Sequence, residues 1–219
     1  GTDAIVGTSG NDTIDAPLSS NGTQTLNTMD TIDGGAGTDT LQIVLSGSVT
    51  PRSITNVETV EVTATAAVTL DLRNSTGIDT VNSLGVTGGA LTLQGLSASD
   101  TYSISDTAQD HTLTFDSVTG TSDEVTVSLG NMTGGANLSL AGIETVNLAF
   151  SGSTNNIDVV ATSASSLTLT GSSDVTIGNL NTAGSTSVKT IDGSELTGAL
   201  TLTTGSLSAI GASAVTVTS

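Results

Sequence analysis

The chain has 219 residues, with 21 acidic side chains against 3 basic ones and a formal net charge of −18. This charge argues against nucleic acid as a partner, because phosphate binding needs clustered lysine and arginine. The chain contains no cysteine, which excludes disulfides and thiolate metal sites, and no apolar run long enough to insert into a membrane. Bound divalent cations would relieve the mutual repulsion of so many acids.

The first part of the chain repeats with a period of nine residues. Residues 34–42 read GGAGTDTLQ and fit the pattern G-G-x-G-x-D-x-U-x in full, where U is a large apolar residue. Residues 7–15 read GTSGNDTID and depart from it only at Thr8. Two partial units keep the same register, with their aspartates at Asp3 and Asp30. Residues 16–24 lack the pattern, and we predict a loop there.

The nonapeptide has a specific physical meaning. Its glycines allow a tight turn and leave main-chain carbonyls directed inward, and the aspartate adds a carboxylate to the same turn. Turns of this kind, stacked on one another, form a cage of oxygen atoms that suits Ca²⁺. The apolar eighth residue begins a short strand and points into the core. We therefore predict calcium binding, against the alternative of a plain hairpin turn rich in Asp and Gly.

After Leu41 the pattern changes to short bursts in which apolar residues alternate with Thr and Ser. Gly, Ser, Asn and Asp separate these bursts, and nothing shows a convincing helical period. The bursts predict strands that start roughly ten to twelve residues apart. In chain order they are residues 57–62, 67–72, 78–81, 90–93, 111–115, 125–129, 143–148, 166–170, 174–177, 188–191, 199–202 and 214–217.

We predict an all-β fold, a right-handed parallel β-helix or β-roll solenoid with roughly two strands per coil. The nonapeptides are typical of parallel β-rolls, and related motifs recur at long range as NVETV, GIDTV and GIETV. An antiparallel β-sandwich is the alternative, because strand spacing alone does not separate the two. Residues 1–42 are predicted to start the roll, and residues 43–219 to continue it as one rod. We expect the chain to be a segment of a longer protein.

Two runs of the chain resemble the calcium-dependent surface-layer proteins of the Caulobacter type. The first contains GTDAIVGTSGNDTID, MDTIDGGAGTDTLQIV, ITNVETVEVT and VTLDLRNSTGIDTVNSL. The second contains GTSDEVTVSL, LAGIETVNLAF, SASSLTLTGSSDVTI and KTIDGSELTGALTL. The calcium motif is also typical of the wider RTX class, which is exported by type I secretion. Long uninterrupted nonapeptide blocks, as in RTX toxins, are absent from this sequence.

The resemblance implies an extracellular, calcium-bound solenoid at a bacterial cell surface. Its partners would be copies of itself in a surface lattice, and cell-surface polysaccharide bound through parts outside this segment. Several Ca²⁺ ions are implied. The resemblance places their ligands at the side chains of Asp12 and Asp39, with carbonyls around Gly7, Gly10, Gly34, Gly35 and Gly37, and with Asp3 and Asp30 in the partial units.

Acidic residues also stand at the starts of predicted strands outside the nonapeptides. Asp123 stands where a turn enters a strand, and we include it as a ligand of a second calcium site, with a solvated turn as the alternative. Glu58 and Glu144 occupy equivalent places in the recurring motif, and Asp79 shares that place. We interpret these three as corner residues that accept hydrogen bonds from main-chain donors.

No enzymatic motif is present, and we predict that the chain is not an enzyme. His111 is the only histidine, no nucleophile elbow or phosphate loop exists, and aromatic residues for a sugar cleft are scarce. Parallel β-helices also occur in polysaccharide lyases, but the few basic residues show no clustering. The predicted function is a surface-layer component, and the alternative is a rod or binding module of a type I-secreted adhesin. Ice binding is disfavoured because the Thr-x-Thr pairs are irregularly spaced.

Overall fold

A computed structural model describes residues 1–180 and 188–203, together with a strand at 216–218. Its strands are numbered along the chain, and the largest sheet, called the long sheet, has ten of them. They are β2 (Thr13–Ala16), β4 (Thr40–Leu45), β6 (Thr59–Ala64), β9 (Thr80–Leu84), β11 (Thr101–Ser105), β13 (Glu124–Gly130), β15 (Thr145–Ser151), β17 (Ser166–Gly171), β19 (Thr190–Leu196) and β21 (Thr216–Thr218).

Two further sheets complete the architecture. The second sheet has seven strands, β7 (Val68–Asp71), β10 (Leu91–Leu96), β12 (His111–Phe115), β14 (Ala136–Ala141), β16 (Thr154–Val160), β18 (Asp174–Leu180) and β20 (Leu200–Leu202). The short sheet has four strands, β1 (Ala4–Val6), β3 (Thr31–Asp33), β5 (Ser53–Thr55) and β8 (Ser75–Thr76). Successive strands of the long sheet alternate along the chain with strands of the other two sheets, so each coil contributes about two strands.

The pairing confirms the parallel solenoid and not the antiparallel sandwich. Paired strands such as β4 and β6, or β15 and β17, run parallel in register, and the coils stack into a β-solenoid of about eight turns. Strand β4 spans the predicted boundary at residues 42 and 43, and its sheet continues on both sides. Among the described residues, none forms a helix able to cross a membrane.

The core is built by the two-residue period of the strands. In β6 the side chains of Val60, Val62 and Ala64 are buried, while those between them are partly exposed. Parallel pairing places Leu41 beside Val60 and Val60 beside Val81, so apolar residues form ladders inside the coil. Each fully buried Val or Leu contributes about 1.5–3 kcal/mol relative to an exposed one.

One corner of the solenoid repeats an unusual backbone conformation. The residue directly after β9, β11, β13 and β15 has a positive φ in each case: Gly85 at 58°, Asp106 at 57°, Asn131 at 53° and Gly152 at 81°. Residues of the types Gly, Asn and Asp tolerate this left-handed region best. Asn131 also donates from Nδ2 to Asp106 Oδ1 at 2.9 Å, so adjacent coils are joined at this corner.

The predicted strands are present, most of them with ends shifted by a few residues. The segment 111–115 matches β12 in full, whereas 57–62 and 143–148 lie two residues before β6 and β15. Residues 214 and 215 of the last predicted strand lie outside the described residues. Strands β5, β8, β11, β14 and β16 were not predicted. The predicted loop at 16–24 is confirmed from Pro17 onward, and it is closed by an antiparallel bridge between Leu18 and Gln24.

Candidate metal centre

The two glycine-rich turns lie directly on top of each other. Residues 7–12 join β1 to β2 and residues 34–39 join β3 to β4, and both pairs of flanking strands are in register. The Ala36 N–H donates to Thr8 O at 3.1 Å, and the Thr40 N–H donates to Asp12 O at 2.9 Å. The stacking predicted from the nine-residue pattern therefore forms, with one turn from each of two successive coils.

Close main-chain packing explains the glycines of these turns. A Cβ on Gly34 would collide with Asn56 O and would lie 2.6 Å from Asp39 Oδ2. A Cβ on Gly7 would in the same way collide with Gly34 O and lie 2.9 Å from Asp12 Oδ2. Each turn therefore brings a carbonyl oxygen of the next coil and its own aspartate to the same point.

The remaining predicted glycines differ from these two. Gly35 and Gly37 have positive φ values of 99° and 133°, and a Cβ on either would meet main-chain atoms of the first turn. A Cβ on Gly10 would fit without a clash, since the nearest atom to it would be Thr8 Oγ1 at 3.8 Å, an ordinary contact distance. The sequence pattern alone did not separate the glycines that packing requires from Gly10.

A column of carboxylates runs along the start of the long sheet. The Asp12 N–H donates to Asp39 Oδ1 at 2.7 Å, and the Asp39 N–H donates to Glu58 Oε2 at 2.7 Å. Each acid therefore accepts the main-chain donor of the preceding coil. Glu58 is the third-coil counterpart of Asp39, although its coil carries the shorter sequence NVE in place of the nonapeptide. Its interpretation as a corner acceptor is confirmed.

The second oxygens of Asp12 and Asp39 have different surroundings. Asp12 Oδ2 accepts the Thr8 N–H at 2.5 Å and the Thr8 hydroxyl at 2.9 Å. At the equivalent position of the second turn, the Gly35 N–H donates instead to Asp33 Oδ1 at 3.1 Å. Asp39 is 1% exposed, and its Oδ2 is buried with no hydrogen-bond partner. A buried anionic oxygen without a donor or a cation is strongly unfavourable.

The donor set at Asp39 fits calcium. Asp39 Oδ2 and Asn56 O both face Gly34, and Asp12 Oδ2 and Gly34 O both face Gly7. These are hard oxygen donors, two of them anionic, which is the ligand chemistry of Ca²⁺. Within residues 1–180 and 188–203, no three His, Cys, Asp or Glu side chains are grouped as for a metal ion. A site here would accordingly use main-chain carbonyls as well as carboxylates.

Asp3 and Asp30 occupy a different corner, ahead of the short sheet. Asp30 is 3% exposed, and its two oxygens accept the Asp3 N–H and the Asn27 N–H, each at 2.8 Å. The pair repeats the relation of Asp12 to Asp39, but both Asp30 oxygens already have main-chain donors. Asp3 and Asp30 precede β1 and β3 of the short sheet, whereas Asp12 and Asp39 precede strands of the long sheet, so the structure does not bring the two pairs together.

Asp123 lies far along the chain and is associated with Glu144. The Asp123 N–H donates to Glu144 Oε2 at 3.0 Å, so Glu144 is confirmed as a corner acceptor like Glu58. Asp123 Oδ2 is buried and has no hydrogen-bond partner. The recurrence of E-T-V after an apolar residue, at Glu58 and Glu144, was the sequence signal for this equivalence.

His111 is a core residue with polar partners. It is 1% exposed, with Nδ1 at 2.9 Å from Gln109 O and Nε2 at 2.8 Å from the Ser83 hydroxyl. A carbonyl only accepts, so Nδ1 carries the proton and Nε2 accepts from Ser83. Burial lowers the pKa of His111 below its usual value, against a smaller opposing effect of the Gln109 carbonyl. Ser83 is also 1% exposed, so this pair is closed to solvent.

No family model matches this chain, and comparisons with curated proteins and with solved structures gave no significant match.

Proposed function

We propose that this chain is a calcium-stabilised structural segment of a bacterial surface layer, which folds outside the cell. The observation that carries the proposal is Asp39 Oδ2, a buried carboxylate oxygen with no partner, beside a carbonyl of the next coil. Asp39, Asp12 and the carbonyls of Gly34 and Asn56 would hold the ion. Bound Ca²⁺ would supply the positive charge that these oxygens lack.

The chain's own charges couple folding to the cation. Asp12, Asp39 and Glu58 are brought to one corner of successive coils by the stacking of the long sheet. Their mutual repulsion opposes this stacking, and the ion pair of Arg73 with Asp71 lies at another corner. Without a cation the folded state is therefore less stable, and the free energy of ion binding adds to the free energy of folding. Extracellular calcium modules bind with Kd of about 10⁻⁴–10⁻³ M, which suits such a switch.

The surface-layer role is supported by the form of the molecule and by the resemblance of its sequence. A parallel solenoid presents long, regular faces, and the outer face of the long sheet carries mainly small polar side chains, such as Thr40, Thr59 and Thr80 in register. Copies of the chain are the proposed partners in the lattice, with polysaccharide bound by parts outside this segment. The rod of a secreted adhesin is the second candidate, since a stack of coils also suits a spacer.

The first test is far-UV circular dichroism with thermal melting, in excess EGTA and then in CaCl₂. We expect a calcium-dependent gain of β signal or a large rise in Tm. An identical fold and melt in both conditions would contradict the calcium mechanism. Electron microscopy of the calcium-loaded protein then separates the two roles, because ordered two-dimensional sheets support the surface layer and isolated rods support the adhesin.

A further inference from the structure

Two of the three basic residues of this acidic chain lie at the same corner of successive coils. The strand pairings on both sides of them join residues 21 positions apart, as in Ile54 with Ser75. The same offset makes Arg52 and Arg73 equivalent residues of adjacent coils, whose strands are spaced by about 4.8 Å. Like charges at such neighbouring positions repel each other, so coil stacking by itself does not favour this pair, which we call the arginine corner.

The arginine corner keeps free hydrogen-bond donors at the surface. Arg73 Nε donates to Asp71 Oδ1 at 2.9 Å, and the Arg73 side chain is 60% exposed. This bond fixes the side chain through Nε and leaves the two terminal nitrogens of the guanidinium to solvent. Arg52 is also exposed, and within the described residues only its main-chain N–H is bonded, to Asp30 O at 3.0 Å. Because guanidinium groups present paired donors that match carboxylates, the corner suits an anionic partner.

A groove on the outer face of the long sheet carries the opposite charge. In-register pairing aligns Asp15, Gln42 and Glu61 in one row across β2, β4 and β6, so the two acids lie about 9–10 Å apart at the main chain. The groove beside this row has a volume of about 320 Å³, and Val44 and the exposed Leu84 also line it. We call it the acidic groove. It suits arginine, whose stem packs on apolar surface while its charged head pairs with an acid.

The arginine corner and the acidic groove lie on opposite sides of the solenoid. From β6 in the long sheet the chain passes to β7 in the second sheet and then to β8 in the short sheet, and Arg73 lies between β7 and β8. The corner therefore points away from the long sheet. One copy can present its corner to a second copy while its own groove receives a third. A contact between unlike surfaces builds an open array when it does not close into a ring.

We propose that the arginine corner of one copy docks in the acidic groove of a second copy. The inference rests on the proposed surface-layer role and names a contact between copies within it. Each copy has a net charge of −18, so most surfaces of two copies repel each other. Only Lys189 among the basic residues lies outside the corner. The corner therefore sets where and in which orientation two copies attract, since complementary charges fix the register of an interface.

Sedimentation velocity of the calcium-loaded protein tests this contact. The wild type should self-associate as its concentration rises. Arg52→Glu should weaken self-association by about tenfold or more, because it places a like charge opposite the acidic groove. Lys189→Glu is the matched control, since it makes the same change of charge at an exposed residue outside the corner. Its effect on self-association should be small.

An exchange of charge between the two surfaces separates a local contact from general repulsion. Glu61→Arg lowers the net negative charge of each copy, yet it should also weaken self-association, because a positive charge then faces the arginine corner. Mixing Arg52→Glu with Glu61→Arg should restore association, since each corner then finds a complementary groove on the other variant. Arg52→Gln and Glu61→Gln repeat the comparison with neutral side chains if a reversed charge impairs folding.

The outcomes separate this contact from the proposed function. Equal self-association of the wild type and Arg52→Glu would overturn the contact, and ordered sheets formed by both would leave the surface-layer role intact. A mixture that stays dissociated would show that the two surfaces do not meet. A monomeric wild type that binds polygalacturonate through Arg52 would assign the corner to an anionic polysaccharide and contradict docking of a second copy. Identical melts in EGTA and in calcium would instead count against the proposed function.

Discussion

The main-chain N–H of Asp12 donates to Asp39 Oδ1 at 2.7 Å, although the two residues are 27 positions apart. This bond fixes the orientation of the Asp39 carboxylate and leaves its other oxygen directed at the turn, beside Gly34 and Asn56 O. The same bond therefore holds two coils together and prepares a ligand for a cation. Stacking of the coils and binding of the ion are consequently coupled through a single side chain.

Asp39→Asn should reveal this coupling as a calcium-dependent loss of stability. In about 10 mM CaCl₂, with Kd of about 10⁻⁴–10⁻³ M, loss of the ion should lower the free energy of unfolding by about 1.4–2.7 kcal/mol. In EGTA the variant should be no less stable than the wild type, because a neutral amide replaces an unpaired buried charge. Urea unfolding in both conditions measures the difference.

Asp15→Asn is the control for the Asp39 variant, because it removes the same charge from an exposed position on the outer face of β2. It should behave alike in calcium and in EGTA. A similar loss for Asp39→Asn in both conditions would assign Asp39 a purely structural hydrogen-bonding role.

Gly34→Ala should destabilise the turn by its volume alone. Its Cβ would meet Asn56 O and Asp39 Oδ2, so the two coils would have to separate. Overpacking of this kind costs about 1–3 kcal/mol, and calcium affinity should fall as well. Gly10→Ala is the matched change, because the nearest atom to its Cβ is 3.8 Å away. It should alter the free energy of unfolding by less than about 0.5 kcal/mol, and equal losses for the two variants would refute the steric argument.

The solenoid was predictable from the sequence because strand alternation and the nonapeptide register are local signals. The exact stacking was not, since 27 residues separate Asp12 from Asp39 but only 19 separate Asp39 from Glu58. Because the coils differ in length, the sequence has no fixed period. The structural equivalence of Asp39 and Glu58 is therefore visible only in the register of the paired strands β4 and β6. Strand β8 has only two residues, and two residues carry no detectable alternation.

The candidate site was likewise predictable in part. The two stacked turns were predictable because the glycines of the nonapeptide indicate a tight turn and its aspartate places a carboxylate in that turn, while calcium binding by these residues stays a prediction. The contrast between Asp12 Oδ2, which accepts from Thr8, and the unpartnered Asp39 Oδ2 depends on where single N–H groups point. The hydrogen bond between His111 and Ser83 joins residues that are 28 positions apart and lie on facing sheets. Such long-range pairs leave no pattern in one sequence.

Substitutions of Asn131 should destabilise the solenoid to different extents, because this residue has a positive φ. Its Oδ1 accepts the Ser153 N–H at 3.0 Å and its Nδ2 donates to Asp106 Oδ1. Asn131→Gly keeps the backbone conformation and loses these bonds, which should cost about 1 kcal/mol. Asn131→Ala should lower the free energy of unfolding by about 1–2 kcal/mol more than Asn131→Gly does, because the left-handed conformation is unfavourable for a residue with a Cβ. Chemical denaturation compares them, and equal stability of the two variants would argue against backbone strain at this corner.

His111 should make the stability of the solenoid depend on pH near neutrality. Burial holds the pKa of His111 in the folded protein below its usual value of 6.5, so the unfolded chain binds the proton more readily. Stability from this residue is therefore fully present above pH 6.5 and is lost as the pH falls towards the folded-state pKa. The slope for one proton is at most about 1.4 kcal/mol per pH unit.

Urea unfolding between pH 7.5 and 5.5, at saturating calcium, should show this decline in the wild type and not in His111→Gln. Ser83→Ala should be less stable at every pH but keep the decline, because His111 remains buried. Parallel pH profiles for the wild type and His111→Gln would mean that carboxylates, and not the buried imidazole, control acid sensitivity in this range.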